Sequence, residues 1–336
     1  MITFFTSPIG LGHATRDIAI AEKLKTDITF VSGEGAASLI AKKGYDTMDV
    51  YRPEKFVIES GKLQHSFKWL MNYYSYYKKC KVIAKEILEK NSGLIVSDED
   101  FASIAIGEEM SRKRVLITDV TETHFTSGPA SIIEKKMNRS MQKMMQGCDC
   151  VIIPGAGDDR GNVRHVGPIV RQAGADRNSL RKRFGFTKTT LVASIGGTDA
   201  GRYLIEKAVE AHQKLQGRLD LELVVVSGPS LKLPDSAGYR NLGFVDNLHE
   251  LVCAADLVIS LAGRSTMDES MAYGTPGIFI PIKGHFEQEE GAARLGYKYE
   301  DIFRLESLIE EKIGHRSSAA VAGGAERAAK IISALD

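Results

Sequence analysis

Cysteine is scarce in this chain. Cys80, Cys148, Cys150 and Cys253 are the only four, and they lack the paired spacing of a zinc site or a disulfide framework, so ordinary reduced thiols are expected. Net charge is nearly absent as well. Lys and Arg number 44 against 43 Asp and Glu, a formal +1, which gives no bulk attraction toward nucleic acid and leaves any charged binding surface to be local. No apolar run approaches the ~18 residues that a membrane span needs. The opening Met1-Ile2-Thr3-Phe4-Phe5 has neither a basic segment nor a long apolar core, so no signal peptide is expected. The expected location is the cytoplasm, with attachment at the inner face of the cell membrane left open.

What is present is ordinary globular material. Hydrophobic residues make up 43% and charged residues 26%, enough for roughly two domains with separate cores. The dominant pattern is strand, glycine-bearing turn, helix. Residues 2–6 form a short β-branched and aromatic run that ends at Ser7-Pro8-Ile9-Gly10-Leu11-Gly12-His13. Helical apolar spacing follows at Ile18, Ala19, Ala21 and Leu24. Further strands are expected at 28–31, 94–96 (ending at Ser97-Asp98-Glu99-Asp100), 115–118 and 151–153. Residues 155–164 read as a linker. The pattern restarts with strands at 191–194, 221–226, 257–260 and 278–280, and helices at 202–215 and 325–335. Such alternation predicts parallel sheets covered on both faces, with ligands beyond the carboxyl ends of the strands. The predicted domains are residues 1–165, 166–320 and a terminal helix in 321–336.

Two segments depart from this pattern. Residues 67–90 carry Trp69, Tyr73, Tyr74, Tyr76 and Tyr77 beside Lys78, Lys79, Lys81 and Lys85. Residues 132–145 carry Met137, Met141, Met144 and Met145 among Lys135, Lys136, Arg139 and Lys143. Both read as amphipathic helices with basic faces. They suit an anionic lipid surface, or else the aromatic and methionine faces pack a core and the lysines solvate the outside.

Three glycine turns carry the candidate chemistry. Gly10-Leu11-Gly12-His13 joins a strand to a helix, where free amides receive an anion and a histidine titrates near neutral pH; a capping histidine is the alternative. The dinucleotide fingerprint is incomplete, with Thr15 in place of its third glycine and only Glu34 near the second strand's end, which disfavours an oxidoreductase. Ser194-Ile195-Gly196-Gly197-Thr198-Asp199 suits a diphosphate cradled by amides, or a tight turn with an N-cap. In the third stretch Gly243-Phe244-Val245-Asp246 precedes Gly263-Arg264-Ser265-Thr266, with Glu269 in the first helical turn or just past it. A carboxylate there can accept both hydroxyls of a ribose, or simply complement the helix dipole.

The blocks Gly263-Arg264-Ser265-Thr266-x-x-Glu269 and Ala272-Tyr273-Gly274-Thr275-Pro276, with Gly10 to His13 and Arg16, resemble the family-28 glycosyltransferases. The resemblance is closest to MurG-like archaeal and bacterial proteins that open with G-x-G-H-x-x-R, and it spans nearly the whole chain. It implies a GT-B fold, two Rossmann-like α/β/α domains facing a central cleft, with the last helix crossing back onto the first domain. It implies a UDP-sugar donor, with Glu269 on the ribose, Phe244 over the uracil and the Val245 backbone reading its edge. Gly197 and Thr198, with Ser265 and Thr266, would meet the diphosphate, Arg171 would lie near the phosphates, and Gln288 with Glu287 would meet the donor sugar; Gly12, Gly196, Gly263 and Arg264 are further donor-binding candidates. The candidate bases are His13, Asp98 and Asp100, with Glu99 a weaker rival; a helix cap near Phe101 is the alternative for the acids.

No metal or cofactor is implied, because glycine amides and helix N-termini can stabilise the leaving group; Asp98-Glu99-Asp100 matches a D-x-D pattern but belongs to the acceptor half. Leu261 stands where many retaining enzymes carry a second glutamate, so inversion is expected. The chain departs from MurG at Ser7, Pro8 and Ile9, at Ser97-Asp98-Glu99-Asp100 and at Gly291. The expected donor is UDP-N-acetylglucosamine and the expected acceptor a polyprenyl-phosphate-linked glycan, with a homodimer left open. A UDP-sugar hydrolase and a UDP-sugar 2-epimerase of related fold are the rivals; the epimerase run S-G-G-x-Q-E-E is missing at Ala262-Gly263-Arg264-Ser265-Thr266.

Overall fold

The short β-branched runs become the central strands of two parallel sheets. The computed structural model describes the chain except residues 55, 65, 125, 127–130, 197–198, 229–230, 232, 234–237 and 321–322 and the side chains of residues 66–70 and 199. It divides into two units. The first comprises Met1–Phe56, His65–Val170 and Ala322–Asp336, and the second Val57–Gln64 and Arg171–Val321.

The chain begins with β1 (Ile2–Thr6), α1 (Gly12–Ala21), β2 (Ile28–Ser32), α2 (Glu34–Lys42) and β3 (Asp46–Asp49). A hairpin, β4 (Val57–Glu59) and β5 (Lys62–Gln64), belongs to the second unit. The first unit resumes with α3 (Ser66–Leu88), β6 (Leu94–Asp98), α4 (Phe101–Glu109), β7 (Arg114–Ile117), α5 (Ser131–Gln146), β8 (Cys150–Ile153) and β9 (Val163–His165). Its sheet has the order β3-β2-β1-β6-β7-β8-β9, parallel throughout. Every residue of β1 and β6 is buried, as expected where helices cover both faces.

The second unit runs α6 (Arg177–Phe184), β10 (Thr189–Ser194), α7 (Arg202–Leu215), β11 (Leu221–Val226), β12 (Arg240–Asn241) and α8 (Leu248–Ala254), then β13 (Leu257–Leu261), α9 (Arg264–Tyr273), β14 (Gly277–Ile280), α10 (Phe286–Arg294) and α11 (Leu305–Lys312). Its parallel sheet has the order β12-β11-β10-β13-β14. The last helix, α12 (Gly324–Leu335), belongs to the first unit. Arg327 Nε donates to the Val166 carbonyl at 2.7 Å. A Cβ at Gly324 would lie 2.2 Å from the Pro168 carbonyl oxygen, so only glycine permits this approach.

Some expectations shift. The stretch read as a linker contributes β9, which pairs with β8 through Val151↔Val163; three residues are too few for periodicity to register. In the first unit, Tyr76 and Tyr77 of α3 pack against the core that holds Phe5, Tyr51 and Ile95. Met141 and Met145 of α5 are buried beside Phe101, Leu116 and Val151. Much of the aromatic and methionine surface therefore faces inward, while Tyr74, Val82, Ile132 and Ile133 remain exposed. Trp69 lies outside the described side chains. Among the described residues, no helix is long and apolar enough to cross a membrane.

Candidate functional site

Each sheet has one point where the strand order reverses, and that point fixes where loops diverge to leave a crevice. In the first unit it lies between β1 and β6. The register pairs Thr6 with Asp98, so the turn carrying Gly10, Gly12 and His13 lies beside Asp98, Glu99 and Asp100. Gly10 has φ +79°, and a Cβ there would meet open space. The N-cap of α1 is Leu11, whose side chain cannot accept a hydrogen bond, so the first helical amides are not capped by it.

His13 opens α1 with its Nδ1 3.1 Å from Asp98 Oδ1. A proton on Nδ1 would donate to this carboxylate and leave Nε2 free, whereas a lone pair on Nδ1 would accept from Arg16 Nη2, 3.2 Å away. Asp98 is wholly buried and is gripped by Arg16, whose Nε donates to Oδ2 at 2.5 Å and whose Nη2 donates to Oδ1. Burial alone would raise the Asp98 carboxyl, but Arg16 and His13 outweigh it and hold the group well below the usual carboxylate range. Arg16 Nη1 also donates to Asp119 at 3.2 Å. Glu99, at φ +55°, brings Oε2 to 3.7 Å from His13 Nε2.

Asp100 is separated from this cluster by its bonding. Its carboxylate accepts from Ala102 N at 3.1 Å as the N-cap of α4, and from the Tyr51 hydroxyl at 2.8 Å. Asp17, which sequence reasoning passed over, is fully buried behind Asp98. Its Oδ2 accepts from Thr6 Oγ1 at 2.7 Å. Burial and the neighbouring Asp98 push its carboxyl well above the ordinary value. An acid on the inner face of a helix next to Arg16 was the available signal.

In the second unit the strand order reverses between β10 and β13, with Ser194 opposite Ser260. Gly196 (φ +74°) and Gly263 therefore flank one crevice, joined by Gly243 (φ +62°) beyond β12. A Cβ at any of the three would meet open space, so their backbones are bare toward a ligand. The buried Ser194 Oγ has no hydrogen-bond partner among the described residues. Gly263 is the N-cap of α9 and offers no side-chain cap, so Arg264, Ser265 and Thr266 form a helix N-terminus, whose dipole favours an anion. Gly197 and Thr198 lie outside the described residues.

Glu269 sits in the second turn of α9 and is 2% exposed. Among the described residues no hydrogen bond reaches its carboxylate. Burial raises it to about 7, against the pull of nearby Arg171. Arg171 is itself buried; its Nη1 donates to the Asp246 carbonyl at 2.9 Å, and its own carbonyl accepts from Tyr273 Oη. Its Nε lacks a partner among the described residues. Phe244 and Val245 follow Gly243 as irregular, half-buried backbone, and Val245 packs against the core under Leu251 and Val258. Arg264 Nε is paired with Asp268 at 2.8 Å. Glu287 and Gln288 lie in the first turn of α10; Gln288 Oε1 accepts from Ile282 N at 3.1 Å, which leaves its amide nitrogen as the group available to a ligand.

Comparison with known proteins fits this geometry. Residues 191–316 match the glycosyltransferase family 28 C-terminal domain. An uncharacterized glycosyltransferase of Methanopyrus kandleri is 27% identical over 214 residues, 60% of each chain. One of Methanosarcina acetivorans is 25% identical over 319 residues, 87% of this chain and 82% of the other. The UDP-N-acetylglucosamine–N-acetylmuramyl-(pentapeptide) pyrophosphoryl-undecaprenol N-acetylglucosamine transferase of Paenarthrobacter aurescens is 28% identical over 159 residues, 43% of each chain. Among solved structures, the glycosyltransferase of kitacinnamycin superposes with a TM-score of 0.64 at 13% identity, over 99% of this chain and 95% of that one. Acinetobacter baumannii MurG superposes with 0.56 at 12% identity, over 99% of both. The two parallel sheets are thus those of the GT-B fold, and the second unit carries a glycosyltransferase family 28 C-terminal domain in a chain distantly homologous to MurG and to archaeal glycosyltransferases.

Proposed function

We propose that the protein is an inverting, metal-independent transferase that moves a sugar, N-acetylglucosamine in the first instance, from its UDP donor to a hydroxyl of a polyprenyl-phosphate-linked glycan. The observation that carries this reading is Glu269, a buried carboxylate without a hydrogen-bond partner among the described residues, set beside Arg171 where the strand order of the second unit reverses. A ribose diol supplies the two donors this carboxylate lacks. The bare backbones at Gly196, Gly243 and Gly263 and the N-terminus of α9 suit a diphosphate. Similarity to a transferase named for UDP-N-acetylglucosamine supports the choice of donor.

In the reaction the acceptor oxygen attacks the anomeric carbon as the bond to the diphosphate oxygen breaks, and UDP leaves with that electron pair. His13 Nε2 takes the acceptor proton, and Asp98 stabilises the imidazolium through Nδ1. The helix amides meet the charge growing on the leaving diphosphate. Exposed Ile132 and Ile133 beside Lys135 and Lys136 support contact with an anionic lipid surface at the inner face of the membrane.

Mass-spectrometric product analysis tests this reading, using a panel of UDP- and GDP-sugars with and without a polyprenyl-linked acceptor. UDP release with the sugar's mass added to the lipid is the expected result. Free sugar formed equally well without acceptor points instead to a hydrolase, and an epimerised UDP-sugar to a 2-epimerase.

A further inference from the structure

The hairpin β4–β5 has no counterpart among the motifs of the sequence. It turns through Ser60 and Gly61, both at positive φ (+49° and +72°), the two-residue geometry whose twist matches paired strands. Two short strands are marginal alone, so the hairpin needs support, and it finds it on the segment between β14 and α10. Leu63 N donates to the Lys283 carbonyl at 2.8 Å and Lys283 N donates to the Gly61 carbonyl at 2.9 Å. Tyr299 Oη donates to the Ser60 carbonyl at 2.7 Å. The Lys62 and Lys283 ammonium groups lie 5.7 and 5.4 Å from the Tyr299 ring centre. A Cβ on Gly61 would stand 3.0 Å from Tyr299 Cε2 and 3.4 Å from Tyr203 Cδ1. The residue next to Lys283, Ile282, holds the Gln288 side chain through its amide.

We infer that this hairpin is a strap that positions Gln288 and thereby sets which donor sugar the enzyme accepts. The inference rests on the donor-site reading above. Gln288 lies in the first turn of α10, but its side chain is oriented by Ile282 in the loop before that helix, and a loop without support places a hydrogen-bonding side chain too loosely to discriminate one hydroxyl pattern from another. The backbone pair to Lys283 supplies that support, from a part of the chain that lies more than 200 residues earlier.

The test is calorimetric binding of UDP and of a panel of UDP-sugars to the whole protein and to two variants. Gly61→Val forces a side chain into Tyr299 and strains a positive φ, and Tyr299→Phe removes only the bond to Ser60. Both are checked for a native melting transition. The expected result is UDP affinity within about twofold of the parent, with the preference among sugars reduced about tenfold in Gly61→Val and less in Tyr299→Phe. If Gly61→Val does not fold, Tyr299→Phe alone decides. An unchanged sugar ranking in the folded variants overturns the strap while leaving the donor site intact, as does a parent that does not discriminate among sugars. Failure of the parent to bind UDP overturns the donor-site reading and the strap together.

Discussion

His13 Nδ1 lies 3.1 Å from Asp98 Oδ1, although 85 positions separate the two residues. The pair exists because β1 and β6 are neighbours in register, so the loop after one strand and the last residue of the other meet at the same edge. Arg16 grips the same carboxylate through both of its oxygens, which keeps Asp98 ionised.

This arrangement makes His13 separable from binding. His13→Gln should lower turnover by about 10²–10⁴-fold, while UDP affinity measured by calorimetry stays at the parent value. Asp98→Asn should lower turnover too, but it also strips Arg16 of its buried partner and should cost about 3–5 kcal/mol of stability in urea denaturation. Turnover that survives His13→Gln would remove the histidine from the base role.

Asp17 is expected to tolerate replacement by a neutral amide. Its folded carboxyl titrates above the unfolded value, so the unfolded state binds fewer protons between the two and stability falls as pH rises through that interval. Asp17→Asn, neutral at every pH, should match or exceed the parent in urea unfolding at neutral pH, with the gain shrinking below about pH 4. Asp17→Ala loses the bond from Thr6 and should be less stable than Asp17→Asn.

For Glu269 the same linkage works against function. The group is raised from 4.5 to about 7, so its charge destabilises the empty protein increasingly from about pH 4.5 to 7. Glu269→Gln should raise stability at pH 8 by roughly 1–3 kcal/mol and should weaken UDP binding at least about tenfold. In the parent, UDP affinity should decline as pH falls through 7, because the ribose hydroxyls donate to the ionised carboxylate. A pH-independent UDP affinity from 6 to 8 would falsify the ribose assignment.

Asp100 makes the opposite case. Its bonds are to the Ala102 amide and to the Tyr51 hydroxyl, so Asp100→Ala should cost about 1–3 kcal/mol of folding stability. Turnover per folded molecule should remain at the parent level, and a specific loss of turnover would return Asp100 to the candidate bases.

Much of this molecule follows from local sequence. The β-branched runs at 2–6, 191–194 and 257–260 could bury themselves only as central strands. The glycines at 10, 196, 243 and 263 marked where backbone would lie bare, because a missing Cβ is a local property that needs no partner to be read. Glu269 likewise announced itself by standing close behind Gly263. Pairings across the chain could not be read this way. Periodicity reports which face of one element is buried, not which strand becomes its neighbour. Asp98 and Asp100 were therefore equal candidates until the β1–β6 register placed one against His13 and the bonding of α4 took the other. The raised carboxyl of Asp17, the inward turn of Met141 and Met145, and the seating of residues 57–64 on Lys283 were likewise decided only in the tertiary structure. Each depends on burial and charge contributed by segments distant in the chain, and those are properties of a folded neighbourhood rather than of a residue's place in the sequence.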